Sequence, residues 1–247
     1  MNLRRVMFAL FLASTLAVWA NEPPLFSTLT PGQTIPASFR VITLPKVAKN
    51  TFSIVADVGK TVLRVESADS AGSIGIPLST ASDNVANSTL TWRWKVDRVL
   101  DNADLSEKRG DDFAARVYVF FDVPLQSLSF FDRAKITLAR IIMGSNVPTA
   151  ALCYVWDNTH DIGHTAWSAY TTRVRMIVLQ SGPRRVGQWV SESRDVAADF
   201  RAAFGFEAPA VTGVAIGNDT DNTHERVTTW YGDISLGNPT APATLTR

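Results

Sequence analysis

Two short acidic segments carry the residues of this chain that are best suited to chemistry. Asp219 and Asp221 stand in the segment 217–223, GNDTDNT, and Asp111 and Asp112 directly follow Gly110. Alternating carboxylates, with amide and backbone oxygens, can supply the roughly six to eight oxygen ligands that Ca²⁺ takes. Asp219 and Asp221 are therefore the candidate metal ligands, and Ca²⁺ is the candidate cofactor.

Other interpretations of these segments stay open. Asn and Asp also form tight turns by bonding their own backbone, so the 217–223 loop is either a turn alone or an ion-assisted turn. The EF-hand pattern is absent, because no glycine stands at the sixth position counted from Asp219. The Asp112 carboxylate is either a site residue or half of an ion pair that opens a strand. His160, Asp161 and His164 have ligand types suited to Zn²⁺, but we interpret them as surface residues.

A catalytic role is the third interpretation. The candidate carboxylates are Asp112, Asp219, Asp221 and Asp233. A glycoside hydrolase needs two carboxylates ~5–10 Å apart in one cleft, and a polysaccharide lyase needs a base beside an arginine. The sequence has no nucleophile elbow, phosphate loop or Gly-rich dinucleotide motif, so a hydrolase triad or a nucleotide enzyme is unsupported.

Strands dominate the elements that must position these residues. Short β-branched and aromatic runs are separated by Gly, Pro, Asn and Asp. The predicted strands are 51–55, 61–67, 89–97, 112–121, 150–156, 170–179, 186–190, 211–216 and 229–236. They predict an all-β fold, a two-sheet antiparallel β-sandwich of jelly-roll kind. Helical spacing in 127–143 and 196–204, the latter capped by Asp195 and ended by Gly205, adds one or two short peripheral helices.

Alternation along the strands predicts faces that mix aromatic rings with charged groups. The candidate ligand-binding residues on these faces are Asp112, Arg116, Tyr118, Tyr154, Trp156, Arg173 and Arg175. Flat rings stack on sugar rings, and guanidinium groups hydrogen-bond hydroxyls or carboxylates. The alternative is an ordinary solvated sheet face with cross-strand ion pairs. Trp92 and Trp94 alternate with Arg93 and Lys95, so the two tryptophans join such a face or belong to the core.

The ends of the chain are predicted to lie outside the fold. Arg4 and Arg5, an apolar run over 6–18 and Ala20 predict a secretory signal peptide, 1–20, whose apolar run is shorter than the ~20 residues of a spanning helix. A single domain, 21–237, and a disordered tail, 238–247, follow. The formal charge of +1 argues against a nucleic-acid partner. We expect a secreted, periplasmic protein with no membrane insertion after signal removal. Cys153, the single cysteine, lies in an apolar run and is predicted to be a buried core thiol.

Several motifs occur together and in order along the chain. They include Trp92-Arg93-Trp94, Gly110-Asp111-Asp112-Phe113, Tyr154-Val155-Trp156, Arg173-Val174-Arg175, Gly187-Gln188-Trp189 and Asp219-Thr220-Asp221-Asn222-Thr223 before Tyr231-Gly232-Asp233. Together they resemble the bacterial family known as domain of unknown function 3047, roughly over residues 39–236. The resemblance implies a secreted, mostly β single domain and supplies no reaction.

Three functions are compatible with these observations. The first is a carbohydrate-binding β-sandwich with a glycan ligand and a structural Ca²⁺ ion. The alternative is a glycoside hydrolase or polysaccharide lyase on the same scaffold, and the second alternative is a structural or assembly protein of the cell envelope, which a large exposed apolar patch would favour. Whether the 111–112 and 219–221 segments lie together is the observation that bears most directly on the site.

Overall fold

The structure is a computed structural model that describes residues 25–76, 89–127, 133 and 148–237. Within this part of the chain, strands account for most of the regular structure. They are β1 (Arg40–Ile42), β2 (Ala48–Lys49), β3 (Thr51–Asp57), β4 (Lys60–Ala68), β5 (Ser70–Ile76), β6 (Thr89–Val96), β7 (Phe113–Phe121), β8 (Ala150–Asp157), β9 (Thr165–Ser168), β10 (Thr171–Ser181), β11 (Val190–Asp195), β12 (Val211–Asp219), β13 (Arg226–Tyr231) and β14 (Ser235–Gly237). Short 3₁₀ turns occur at Phe26–Thr28, Leu125–Ser127 and Pro183–Arg185.

The strands form two sheets, as the sequence predicts. The large sheet has the order β1-β5-β12-β7-β8-β10-β9, with β2 also paired to β5. The small sheet has the order β11-β6-β13-β4-β3, with β14 paired to β6. Pairing is antiparallel except between β8 and β10 and between β2 and β5. The all-β, jelly-roll-like sandwich is therefore confirmed.

The main core lies between the two sheets and is built by strand alternation. In β6 the side chains of Trp92 and Trp94 are buried, whereas Arg93 and Lys95 are more accessible. The Trp92 ring lies 5.3 Å from that of Tyr154 in the large sheet, and the Trp94 ring lies 6.0 Å from that of Trp156. The two tryptophans therefore belong to the core, and the outer face of the small sheet carries Arg93 and Lys95, which alternate with them.

The central strands of the large sheet are buried on both faces. Every residue of β7 and of β8 is buried. A second apolar cluster lies on the face that points away from the small sheet, and it includes Phe113, Tyr118, Phe120, Cys153, Val155, Val174 and Met176. Cys153 is a buried free thiol, as predicted. Alternation alone therefore does not separate a dry face from a solvated one in these strands.

The predicted helix at 196–204 is confirmed as α1 (Val196–Phe204). The Asp195 side chain accepts a hydrogen bond from the Ala198 N–H at 2.9 Å, and Gly205 ends the helix in the left-handed conformation. The prediction of a strand at 186–190 is wrong, because this segment follows a 3₁₀ turn, has a positive φ at Gly187 and enters β11 only at Val190.

Other sequence predictions fall on residues outside the described part of the chain. These are the signal peptide at 1–20, the tail at 238–247, and the helix at 127–143 apart from Ser127 and Arg133. Among the helices that are described, none has the length and apolar character needed to cross a membrane.

Candidate functional site

The two acidic segments lie together at one end of the large sheet. Strand β12 ends at Asp219, which stands opposite Phe113 at the start of β7. Carboxylate oxygens of Asp112, Asp219 and Asp221 all lie within 4.8 Å of one another. We call Asp111, Asp112, Asp219 and Asp221 the carboxylate corner. Pairing of β12 with β7 brings together residues that are more than a hundred positions apart in the sequence.

Asp112 anchors the turn that follows β12. Its Oδ2 accepts hydrogen bonds from the Asn222 N–H at 3.0 Å, the Thr223 N–H at 2.7 Å and the Thr223 hydroxyl at 2.8 Å. Its Oδ1 accepts one further bond from the Asn222 side-chain amide at 3.1 Å. Residues 221–224 form a turn, as both the turn and the ion-assisted interpretations predict, and the carboxylate that anchors it comes from the segment before β7.

A buried ion pair neutralises one carboxylate of the corner. The Arg116 guanidinium lies 2.6 Å from Asp219 Oδ2, and both side chains are fully buried. Asp219 Oδ1 also accepts a hydrogen bond from the Phe113 N–H at 3.1 Å. Burial favours the neutral form of Arg116, but Asp219, together with Tyr118, Cys153 and Asp111, outweighs burial, and the pKa of Arg116 is raised. The alternative that Asp112 is half of an ion pair is therefore wrong, because within the described residues Asp112 binds the turn through hydrogen bonds and Asp219 forms the ion pair.

The Asp111 carboxylate is buried and has no such compensation. The residue is 4% exposed. Within the described part of the chain, its carboxylate accepts no hydrogen bond and forms no ion pair, and its backbone carbonyl alone accepts a bond, from Asn222. Burial raises the pKa of Asp111 to about 7, with Arg116 opposing the rise and Asp112 adding to it. The corner thus holds more carboxylates than cations.

A polar cavity of about 550 Å³ lies beside the corner. The residues around it are mostly acidic or amide-bearing and include Asp101, Asn102, Asp104, Glu107, Asn158, Asn222 and Thr223. None of the candidate catalytic carboxylates lines this cavity. Asp233 lines a different cavity, on the small sheet. Neither of these two cavities contains two of the four carboxylates proposed for a hydrolase.

Five of the seven candidate ligand-binding residues lie in the interior. Tyr154 and Trp156 point between the sheets, whereas Arg116 and Tyr118 point away from the small sheet. Asp112 is fully buried against the turn. The predicted ligand-binding face is therefore not one open surface, because β7 and β8 are central strands with both faces covered.

The two remaining candidates, Arg173 and Arg175, are half-buried at the edge of the large sheet. Arg175 lies over the Trp167 ring, 4.8 Å from its centroid, and Arg173 lies over the Phe204 ring at 5.4 Å. The Arg173 Nε also donates a hydrogen bond to the Thr149 carbonyl at 2.7 Å. These arginines pair with aromatic rings that the sequence analysis did not single out.

The outer face of the small sheet carries a stronger combination of aromatic and basic residues. We call Arg93, Lys95, Trp189 and Trp230 the aromatic–basic face. Lys95 stands opposite Trp230 in the pairing of β6 with β13, and its Nζ lies 4.4 Å from the Trp230 ring centroid and 5.3 Å from that of Trp189. Asp57 holds the arrangement, with its carboxylate 2.8 Å from Lys95 Nζ and accepting a hydrogen bond from Trp189 Nε1 at 2.6 Å.

Arg93 is the accessible cation of this face. Its guanidinium carbon lies 4.2 Å from the centroid of the Trp189 ring. Within the described part of the chain, Arg93 forms no side-chain hydrogen bond and no ion pair. Gly232 makes room for it, because a Cβ at that position would overlap the Arg93 side chain.

A cavity of about 450 Å³ adjoins Arg93. It is lined by Lys60, Thr91, Trp92, Arg93, Ser191, Glu192, Ser193 and Asp233. We call it the face cavity. It combines two cations, three hydroxyl groups and two carboxylates with the aromatic ring of Trp92. The sequence signal for this site was the alternation of Arg93 and Lys95 with the two buried tryptophans, but nothing in that pattern indicated Trp189.

Comparison with known proteins places the chain in a family. The family model described as "Protein of unknown function (DUF3047)" matches residues 37–235, so the chain belongs to this family. This confirms the resemblance found in the sequence. The comparison with curated proteins gives no match.

Several solved structures are similar to this chain at low sequence identity. The xyloglucanase domain of NopAA, a type three effector from Sinorhizobium fredii, is 10% identical over 89% of this chain and 98% of that chain, with a TM-score of 0.43. A cellulase derived from the Cel12A cellulase of Rhodothermus marinus is 13% identical over 81% and 91%, with a TM-score of 0.42. Endoglucanase 3 of Trichoderma harzianum, from family GH12, is 10% identical over 83% and 99%, with a TM-score of 0.39.

Proposed function

We propose that this protein is a secreted, periplasmic, non-catalytic glycan-binding β-sandwich that holds its ligand on the aromatic–basic face of the small sheet. The observation that supports the proposal best is Arg93, which lies over Trp189 at the wall of the face cavity. The aromatic ring fixes the plane of the guanidinium, while the N–H groups remain available for a ligand. A guanidinium group held in one orientation can donate hydrogen bonds to the hydroxyl and carboxylate groups of a sugar.

The surroundings of Arg93 support the same function. Thr91, Ser191 and Ser193 line the face cavity with hydroxyl groups that can donate or accept hydrogen bonds. Trp189 is held by Asp57, so little side-chain freedom is lost when a ligand binds against it. A preorganised aromatic ring with convergent polar groups is the usual composition of a small-molecule site.

Glycan-array screening of the mature protein, with neutral and uronic-acid-containing oligosaccharides, tests this proposal. We expect binding at millimolar sensitivity or better, and we expect Arg93→Ala to weaken it about tenfold or more. This loss corresponds to a hydrogen-bonded charged group worth about 1.5–3 kcal/mol. Arg201→Ala is the matched control, because it removes the same charge from an exposed position on α1.

Three outcomes would contradict the proposal. Binding that Arg93→Ala and Arg201→Ala leave equally intact would exclude the aromatic–basic face. Binding that is lost instead in Arg175→Ala would move the site to the edge of the large sheet, where Arg175 lies over Trp167. An array with no signal above background would reject glycan binding itself.

A further inference from the structure

The carboxylate corner holds more carboxylates than cations. Oxygens of Asp112, Asp219 and Asp221 lie close together, Asp111 acts on them electrostatically, and Arg116 forms its ion pair with Asp219. Three of the four residues are at most 4% exposed, and Asp221 is half-buried. Buried charges are strongly disfavoured unless they are paired or coordinate a metal ion. The corner therefore favours either protons or a cation.

Asp111 points to a ligand independently of the clustering. The residue is more than nine-tenths buried, and within the described residues its carboxylate accepts no hydrogen bond and forms no ion pair, with Arg116 acting on it electrostatically. Its charge acts directly on Arg116 and Asp219 of the corner. Asp112 and Asp219 accept hydrogen bonds from protein groups, so Asp111 is the buried member whose burial the turn and the ion pair do not explain.

The carboxylate oxygens lie close enough together to share one ion. Oxygens of Asp112, Asp219 and Asp221 lie within 4.8 Å of one another, which is twice a Ca²⁺–oxygen distance of about 2.4 Å. All three can therefore contact one ion. Asp112 concentrates three of its hydrogen bonds on Oδ2, so Oδ1, which accepts one bond, remains available.

The chemistry of the donors selects the class of ion. The corner offers carboxylate oxygens and has neither a histidine nor a cysteine among its four members. Oxygen donors suit hard cations, and a flexible set completed by backbone carbonyls and water suits Ca²⁺ better than the strict octahedron of Mg²⁺.

We infer that the carboxylate corner is a Ca²⁺ site that fastens the start of β7 to the turn after β12. This site is distinct from the aromatic–basic face and does not depend on glycan binding. The ion would join Asp112 at the beginning of one strand to Asp219 and Asp221 at the end of another, with Asp111 supplying further charge. It therefore adds an ionic link to the turn that Asp112 already anchors through hydrogen bonds.

Thermal unfolding and calorimetric titration of the chelator-treated mature protein test the site. We expect CaCl₂ to raise the unfolding midpoint in a saturable manner, with one ion bound per chain, and MgCl₂ to act more weakly. Asp221→Asn should weaken Ca²⁺ binding at least tenfold. Asp101→Asn is the matched control, since Asp101 is an exposed carboxylate beside the neighbouring cavity and outside the corner, and it should bind Ca²⁺ like the original protein.

A second variant keeps the test decisive if Asp221→Asn folds poorly. Asp111→Asn removes the uncompensated buried charge, so we expect a higher midpoint than the original protein without calcium and a smaller rise when calcium is added. No heat and no midpoint shift with CaCl₂ would overturn the inference. Equal Ca²⁺ affinity in the original protein, Asp221→Asn and Asp111→Asn would overturn it as well, because the ion would then bind elsewhere.

Discussion

The Tyr231 hydroxyl joins the two sheets at the point where β12 leaves regular pairing. It accepts a hydrogen bond from the Arg116 N–H at 3.0 Å and donates one to the Gly217 carbonyl at 2.6 Å. Tyr231 belongs to β13 of the small sheet, whereas its partners belong to β7 and β12 of the large sheet. The register between β12 and β7 shifts between Gly217 and Asp219. The hydroxyl therefore satisfies backbone groups beside an irregular part of the ladder.

Tyr231→Phe removes this hydroxyl and leaves the ring in place. The side chain is fully buried, so water cannot replace the lost partner without rearrangement. An unsatisfied buried donor or acceptor costs about 1–3 kcal/mol, and two groups are affected. We expect the free energy of unfolding to fall by about 2–4 kcal/mol, measured as a lower midpoint in urea with an unchanged m-value.

Tyr170→Phe provides the matched control for this prediction. It makes the same chemical change at an exposed hydroxyl that donates to the Lys108 carbonyl at 2.7 Å, and it should alter stability by less than about 0.5 kcal/mol. If the two variants lose similar amounts of stability, the hydroxyl of Tyr231 does not link the sheets in the way described. Tyr231→Phe should also weaken Ca²⁺ binding, because it loosens the end of β12.

Two further predictions concern the dependence of stability on pH, both measured as the thermal midpoint between about pH 3 and pH 8. Burial acts to raise the pKa of Asp57, but the hydrogen bonds from Lys95 and Trp189 outweigh it and lower the pKa. The contribution of Asp57 to the free energy of unfolding is therefore complete above its unfolded pKa and is lost as pH falls through the folded pKa. Asp57→Asn should destabilise the protein at pH 7 and approach the stability of the original protein below about pH 4. Equal destabilisation at both pH values would contradict this. Burial raises the pKa of Glu192, although the hydrogen bonds from Gln180 and Trp94 act to lower it. The contribution of Glu192 to stability is therefore present at low pH and is lost as pH rises through the folded pKa. Both hydrogen bonds end on Oε1, which a glutamine oxygen can replace. Glu192→Gln should therefore have the thermal midpoint of the original protein near pH 4 and a higher midpoint at pH 8. A lower midpoint at pH 8 would refute the reasoning.

Periodicity and capping were sufficient to predict most of the architecture. The alternation of β6 and the cap at Asp195 are local features, and the structure has both where the sequence placed them. Strand β5, Ser70–Ile76, was missed because its small residues give a weak strand signal, and it forms between two neighbours that supply its pairing. Burial and pairing in the folded protein outweigh intrinsic preference there.

The sites depended on contacts that periodicity does not encode. The sequence indicated both acidic segments, but only the pairing of β12 with β7 shows that they meet. Arg116 and Tyr118 resembled an accessible polar face because alternation assigns residues to a side of a strand and does not say whether that side is covered. Trp189 precedes β11 in a segment without regular structure, so no pattern predicted that its ring would reach Asp57 at the end of β3.

The indole N–H resonances of the tryptophans, followed by nuclear magnetic resonance, test the central claim most directly. The Trp189 indole donates to Asp57 on the aromatic–basic face, whereas the buried Trp156 indole donates to the Gly182 carbonyl, away from the face cavity, and serves as an internal reference. Trp189→Phe identifies the Trp189 indole resonance, because that resonance is absent from the spectrum of the variant. Titration with an oligosaccharide bound on the array should shift the Trp189 resonance in a saturable way and leave that of Trp156 unchanged. A Trp189 resonance that stays in place while calorimetry records binding would contradict the account.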